Sequence, residues 1–487
     1  MNTANPFSSG SDVSPVSRRH FLWQAASGMS GIALAWLMQQ ENAFAATSLP
    51  DSPYAPRPPH FPARAKRVIH IYACGGVSHV DTFDHKPDLT KFNGQELTNK
   101  GKIDTFFGRP GRLLKSPFPF KQYGKSGMWV SDLFPNLAGC VDEMTFIHSM
   151  VAKSSNHTPA TFQMNSGFTM NGFPCMGAWV SYGLGSENQN LPAFIVLPDP
   201  RQLPAGGAIN WTSGFLPAIH QGVAFRAKGA PIVDLATPSN IPPQKRQASL
   251  KFLDQMNQEF LEANPGDSTL AARIRSYELA ARMQMSVPEV ASIETETEAT
   301  RKLYGMDVPQ SAGFGRNCLL ARRLIERGVR FVQLFNGGAF GSPRINWDAH
   351  ENIVENHTNQ AATLDKPVAG LLKDLKQRGL LEETLVLWTT EFGRAPMTEG
   401  MDGKGRDHHQ HVFTIWMAGA GLKPGFRYGA SDEVGYFAAE KPVSVYDFHA
   451  TVLHLLGLNH ERLTFYHNGI KRRLTDVHGE VLRDVLT

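Results

Sequence analysis

Cysteine is scarce in this chain: four in 487 residues, at Cys74, Cys140, Cys175 and Cys318. They form no close pair and no spacing of the kind that holds zinc between thiolates, which excludes a disulfide-stapled scaffold and a zinc ribbon. The four remain either disulfides in an oxidising compartment or buried free thiols. Charge of one sign is also short. Forty-eight Lys and Arg face 44 Asp and Glu, a formal net charge of +4. No Lys/Arg stripe interleaved with aromatics is present, so nucleic acid is not an expected partner. There is no internal repeat, and beyond the first 45 residues no apolar run is long enough to cross a bilayer. Hydrophobic residues at 41% and charged residues at 19% then describe a soluble globular chain with a sizeable core.

The first 45 residues carry a different signal. A polar stretch ends in SRRHFLW (residues 17–23), and a moderately apolar, Gly- and Ala-containing segment follows at residues 25–38. AFA at residues 43–45 supplies the small side chains a signal peptidase needs. Twin arginines before a weakly apolar core fit a twin-arginine export signal, and the core is too short to anchor comfortably in a membrane. Residues 1–45 are therefore expected to be read by the twin-arginine translocation machinery and cleaved before Ala46, leaving no stable transmembrane segment. The mature protein is expected to be periplasmic or secreted. That route carries folded proteins, so a metal ion can be loaded before export. Residues 46–66 are proline-rich and read as an extended linker, and residues 67–487 as the folded domain.

Within that domain, short apolar runs recur: RVIHIYA (67–73), MTFIHSM (144–150), AFIVL (193–197), VRFVQLF (329–335), TLVLWTT (384–390) and VFTIWMAG (412–419). They are continuous rather than alternating, which suits strands covered on both faces. Helical patterns intervene at 318–328, at 357–384 with a possible break at Pro367, and at 445–458. Strand and helix in alternation predict an α/β fold with a mostly parallel central sheet. Residues 244–303 are long, charged and helical in pattern, and read as a helical insertion on that core.

Ligands of open parallel sheets collect at the carboxyl ends of the strands. Those ends carry Asp81 and Asp84; Ser154, Ser155, Asn156, His157 and Thr158; Asp348 and His350; Glu391 and Arg394; and Arg406, Asp407, His408 and His409. Oxygen and imidazole donors together suit a divalent metal, and guanidinium groups suit the remaining oxygens of sulfate or phosphate. Each piece also has a plainer role. Asp348 can cap the helix that follows, Thr158 before Pro159 can do the same, and the aspartates near Pro87 can shape a turn.

The motifs GGVSHVDTFDHKP, NHTPATFQMNSG, FPCMGAWVSYGLGSENQNLPAFIVL, NWDAHENI, TTEFGRAP and GRDHH, in this order behind a twin-arginine start, resemble the sulfatase-like family of unknown function DUF1501. The resemblance covers the chain from about residue 67 to its end. It implies the alkaline phosphatase-like superfamily: a three-layer α/β/α sandwich with metal at the strand ends. By that resemblance Asp81 or Asp84, Asp348, His350, Glu391, Asp407, His408 and His409 are the candidate ligands of zinc, calcium, magnesium or manganese. Asn156 and His157 become site residues, Ser154, Ser155 or Thr158 the candidate nucleophile, and Arg394 and Arg406 the anion-binding groups. Three features depart from the pattern: the first strand runs into Cys74-Gly75 where an Asp would stand, Phe392 stands where a His would, and no sulfatase C/S-x-P-S-R motif is present. The expected function is an exported metal-dependent hydrolase of small-molecule or polysaccharide sulfate or phosphate esters. The alternative is a non-catalytic exported protein that keeps the fold and binds an anionic polysaccharide or a protein partner.

Overall fold

The apolar runs become strands of one sheet because their alternate residues feed two separate cores. Of the strand Arg67–Ala73, Ile69, Ile71 and Ala73 enter one hydrophobic cluster while Val68 and Tyr72 enter another. Each such aliphatic side chain, fully buried, contributes about 1.5–3 kcal/mol. The first cluster is covered by the helices Pro309–Glu326 and Ile353–Gln377. The second is covered by His157–Ser166, Met176–Leu184 and Val445–Leu455. The result is a three-layer α/β/α sandwich. These statements rest on a computed structural model, which describes residues 55–98, 100–226, 241–264, 274, 278–279, 282–283, 286–339 and 344–487. The expected export signal and the first part of the linker lie outside the described residues, as does most of the stretch 269–285.

The nine-stranded sheet runs in the order Phe426–Tyr428, Met144–Val151, Phe413–Gly419, Thr384–Thr389, Arg67–Ala73, Phe331–Asn336, Phe194–Leu197, Val223–Ala224, with Val443–Ser444 also pairing to Met144–Val151. Only Phe413–Gly419 pairs antiparallel to its neighbours; the rest pair parallel. The carboxyl ends of four central strands therefore share one edge. A three-stranded antiparallel sheet, Arg406–His409, Gly393–Glu399 and Pro110–Leu113, stands apart from the large sheet.

Two helix boundaries differ from the sequence pattern. The helix expected from 318 begins at Pro309, whose fixed φ and missing N–H suit a first turn. The helix expected from 357 begins at Ile353, because the Asn352 side chain accepts from the amides of Val354 and Glu355. Such a cap contributes about 1 kcal/mol. Asn352, not Asp348, is thus the cap, and Pro367 lies inside an uninterrupted helix. In the expected insertion the described helices include Pro243–Ala263, a single 3-10 turn at Ile293–Thr295 and Glu298–Leu303. Residues 55–66 are extended but attached: Arg57 donates to Leu184, His60 and Phe61 to Gly457, and Arg64 and Ala65 to Leu455, all through backbone amides. All four cysteines are free and buried. Among the described residues no helix is long and apolar enough to cross a membrane.

Candidate metal centre

Three imidazoles and one carboxylate meet at the shared carboxyl edge. His157 opens the helix after strand Met144–Val151, Asp348 and His350 lie between strand Phe331–Asn336 and the helix Ile353–Gln377, and His408 sits on the strand Arg406–His409. The Nε2 atoms of His157, His350 and His408 lie 3.2, 2.8 and 3.2 Å from Asp348 Oδ1. His350 Nε2 and His408 Nε2 are 2.8 Å apart. One ligand atom from each of the four residues falls within 4.8 Å of all the others.

The opposite edge of each ring explains why these nitrogens converge. His157 Nδ1 bonds Glu391 Oε1 at 2.8 Å, His408 Nδ1 donates to the Ser155 carbonyl at 2.7 Å, and His350 Nδ1 bonds the Glu399 carboxylate. With Nδ1 donating, each neutral imidazole presents its Nε2 lone pair to the common centre. Metal-ligating histidines are oriented in this way. Lone pairs directed at one another and at a carboxylate repel, unless a cation stands among them. Without a metal the Arg394 guanidinium and a proton share that part. Arg394 reaches Asp348 Oδ1 at 2.6 Å and His350 Nε2 at 3.4 Å. Burial opposes charge on His157, but the Asp348 and Glu391 carboxylates outweigh it and raise its pKa. His408 stays neutral, its pKa pushed down to about 2 by burial and by Arg394. Burial alone would raise Asp348, yet Arg394 and the three imidazoles hold it far below the usual carboxylate range. The donor set thus fits a divalent ion.

Arg394 and the backbone frame the centre. Its guanidinium, 0% exposed, donates from Nη2 to Asp348 Oδ1 at 2.6 Å, from Nε to Gly76 O at 2.8 Å and from Nη1 to Arg406 O at 3.1 Å, and also reaches Gly75 O. Gly75, at φ +114°, lets the chain pass where a Cβ would lie 2.6 Å from the backbone nitrogens of Trp347 and Asp348. Its N–H donates to Glu391 Oε1 at 2.7 Å. The cysteine-glycine turn after the first strand therefore supplies backbone dipoles where an acidic ligand was expected. Phe392, fully buried, lies with its ring centre 4.8 Å from both His157 and His408. It packs against two of the candidate donors and is not itself one.

The four donors lie in a cleft of about 960 Å³, whose lining also includes Phe106, Phe107, Asn156, Arg344, Glu351 and Asn359. The sequence profile described as "Protein of unknown function (DUF1501)" matches residues 65–486. The chain belongs to the DUF1501 family. No curated protein matches it. Distant structural likenesses include the lipoteichoic acid synthase LtaP from Listeria monocytogenes, 10% identical, with 87% of this chain and 78% of that one covered at a TM-score of 0.37. A mutant of TAB5 alkaline phosphatase is 10% identical over 82% and 99% at 0.34. The PsFucS1 sulfatase from Pseudoalteromonas sp. is 10% identical over 81% and 68% at 0.30.

Of the residues singled out in the sequence, the DUF1501 fold brings His157, Asp348, His350 and His408 into one donor set. It places Glu391 one shell outward, holding His157. Asp81 is elsewhere: both of its oxygens bond Arg406, at 2.6 and 3.0 Å, so neither group is open to a metal or an anion. Asp84 pairs with Lys86 at 3.0 Å and bonds Ser431. Asp407 stands outside this set and accepts from the amides of Phe106 and Phe107 at 2.7 and 3.1 Å. One of its ligand atoms falls with those of His350 and Glu399 in a second group of donors within 4.8 Å of one another. Side chains alternate along a strand, so His408 and His409 cannot both face the donor set; His409 Nε2 bonds Tyr436 O instead. Asn156 lines the cleft, whereas Ser154, Ser155 and Thr158 are not among its lining residues. Ser154 Oγ accepts from the Asn156 amide at 3.1 Å. Glu399, Arg344 and the Phe106–Phe107 pair were not legible as site residues. Glu399 had one available signal, its place in TTEFGRAPMTEG between two candidate clusters.

This arrangement separates ligand from support. Glu391→Gln is expected to weaken metal affinity about 10–100-fold while the site still fills at high metal concentration. His409→Ala is expected to leave the affinity within twofold. Competition titration with a chelating dye measures both, and equal losses would show that the donor set has been misassigned.

Proposed function

We propose that this DUF1501 protein is an exported, zinc-dependent hydrolase of sulfate or phosphate esters. The observation that carries this reading is the convergence of three braced Nε2 atoms on Asp348 Oδ1 at the floor of an open cleft. A set of three imidazoles and one carboxylate favours zinc over calcium or magnesium, which prefer oxygen. When bound, the ion would supply a Lewis acid for the ester oxygens and activate water at neutral pH. Asn156 offers an amide donor to the anionic group beside the donor set. Arg344, its side chain 31% exposed, pairs with Glu351 through Nε and Nη2 and with Asp348 through Nη1, and its remaining Nη hydrogens offer further donors to that group. Arg394 has its donors committed and is a positioning residue: it fixes Asp348 against the turn at Gly75 and Gly76. With no side-chain hydroxyl of the Ser154–Thr158 stretch in the lining, water is the nucleophile this cleft can offer, breaking the S–O or P–O ester bond and releasing the alcohol.

One observation favours the other reading, an exported non-catalytic binding protein. Arg394 Nη2 lies 2.6 Å from the oxygen that the metal would share, so an ion-pair network can close without metal. Metal analysis of the purified and the reconstituted protein, with assays on aryl sulfate, phosphate monoester and phosphate diester, separates the two. One equivalent of zinc with turnover of at least one ester class is expected. Protein that takes up no zinc on reconstitution would exclude the hydrolase.

A further inference from the structure

The cleft above the donor set has two chemically unlike linings. One is aromatic: Phe106 and Phe107 are 38% and 48% exposed, and their rings stand at 89° with centres 4.7 Å apart. Phe106 lies over His408 at 4.5 Å and Phe107 meets His350 edge-on at 5.2 Å, so this corner touches two of the donors. Asp407 holds both of its backbone amides and so fixes the corner in place. The other lining is a polar stripe. Asn352, Glu355, Asn356 and Asn359 line the cleft from positions i, i+3, i+4 and i+7 of the helix Ile353–Gln377 and its cap, the spacing of one helix face. Asn352 and Asn356 are partly used, as cap and as donor to the Asn346 carbonyl. Glu355, Asn359 and Asn156 form no side-chain hydrogen bond among the described residues.

An exposed aromatic corner facing uncommitted amides and a carboxylate is suited to a ligand that is apolar on its ring faces and hydroxylated around its edge. An aliphatic or aryl group would desolvate the polar stripe without replacing its hydrogen bonds. A nucleic-acid backbone would run its row of phosphates past the carboxylates of Glu351 and Glu355, whereas a saccharide ester needs its anion only at the donor set. The stripe rises about 10 Å along the helix, enough for more than one sugar ring. We propose that the ester taken by this site is carried on a saccharide of two or more rings, stacked on Phe106–Phe107 and bonded through its hydroxyls to the Asn352–Asn359 stripe. This rests on the hydrolase reading above and names its substrate class.

The test is an array of neutral, sulfated and phosphorylated oligosaccharides of one to six rings, probed with the zinc-reconstituted protein. Binding is expected to rise at least tenfold from one ring to two. It is expected to fall at least tenfold in both Phe107→Ala and Asn359→Ala; the second substitution is at an exposed helix surface, and circular dichroism confirms folding of both. No binding to any oligosaccharide, or binding that both variants retain, overturns the proposal. Neutral oligosaccharides report on the cleft without chemistry, so their binding stands or falls independently of whether any ester is hydrolysed.

Discussion

Asp348→Ala is expected to abolish stable metal binding and, with it, ester hydrolysis. One oxygen of this side chain lies within 3.2 Å of all three Nε2 atoms, so no other single change removes the shared point of the cluster. The same substitution leaves Arg394 buried with its charge uncompensated. Breaking a buried pair by deleting one partner costs about 3–5 kcal/mol. Metal content by mass spectrometry should fall from one equivalent to background, and the denaturant midpoint of the metal-free protein should fall as well. Asp348→Asn separates the two effects: it keeps the shape and a hydrogen-bond acceptor for Arg394 while removing the anionic ligand. Zinc retained at one equivalent in both variants would rule out this centre.

Asp81→Ala is expected to do the reverse, with a large loss of stability and no loss of metal. Asp81 and Arg406 are both 0% exposed and paired through two hydrogen bonds. Burial would raise the Asp81 pKa, but the guanidinium and the Ser78 hydroxyl bring it below the ordinary value. The pair therefore stabilises the fold above the usual carboxylate pKa, and the contribution is lost as pH falls through the depressed one. Removing Asp81 should cost about 3–5 kcal/mol at neutral pH. Asp81→Leu combined with Arg406→Met should cost less than Asp81→Ala alone, since no charge is then stranded. Denaturant titration at neutral and acidic pH, with metal content measured in parallel, checks this. Loss of zinc from folded Asp81→Ala protein would return Asp81 to the ligand set.

The contrast between these two aspartates shows what the sequence makes visible. Continuous apolar runs such as TLVLWTT mark sheet strands because both faces are buried, and the strand ends then point to the functional edge. His157, Asp348, His350 and His408 are all legible by that argument. Which acidic residue joins the candidate donor set and which is an internal counter-ion is not, because a buried aspartate has the same local sequence in either role. Asp81 is decided by Arg406, 325 residues away. Glu391 is correctly located at a strand end, but its distance from the centre is set by His157, 234 residues earlier. His408 and His409 could have been divided by strand alternation, though not assigned, since only pairing of His408 opposite Arg394 fixes the inward face.

The spread of the donors along the chain has a consequence for biogenesis. His408 is braced by the carbonyl of Ser155, 253 residues away, and His157 by a carboxylate 234 residues away. Contacts of such separation form only after the intervening strands have taken their places in the sheet. No nascent or truncated chain can bring these donor atoms together, so the candidate metal centre is complete only when the whole domain has folded. Under the proposed export by a route that accepts folded cargo, ion retention would serve as a chemical certificate of readiness.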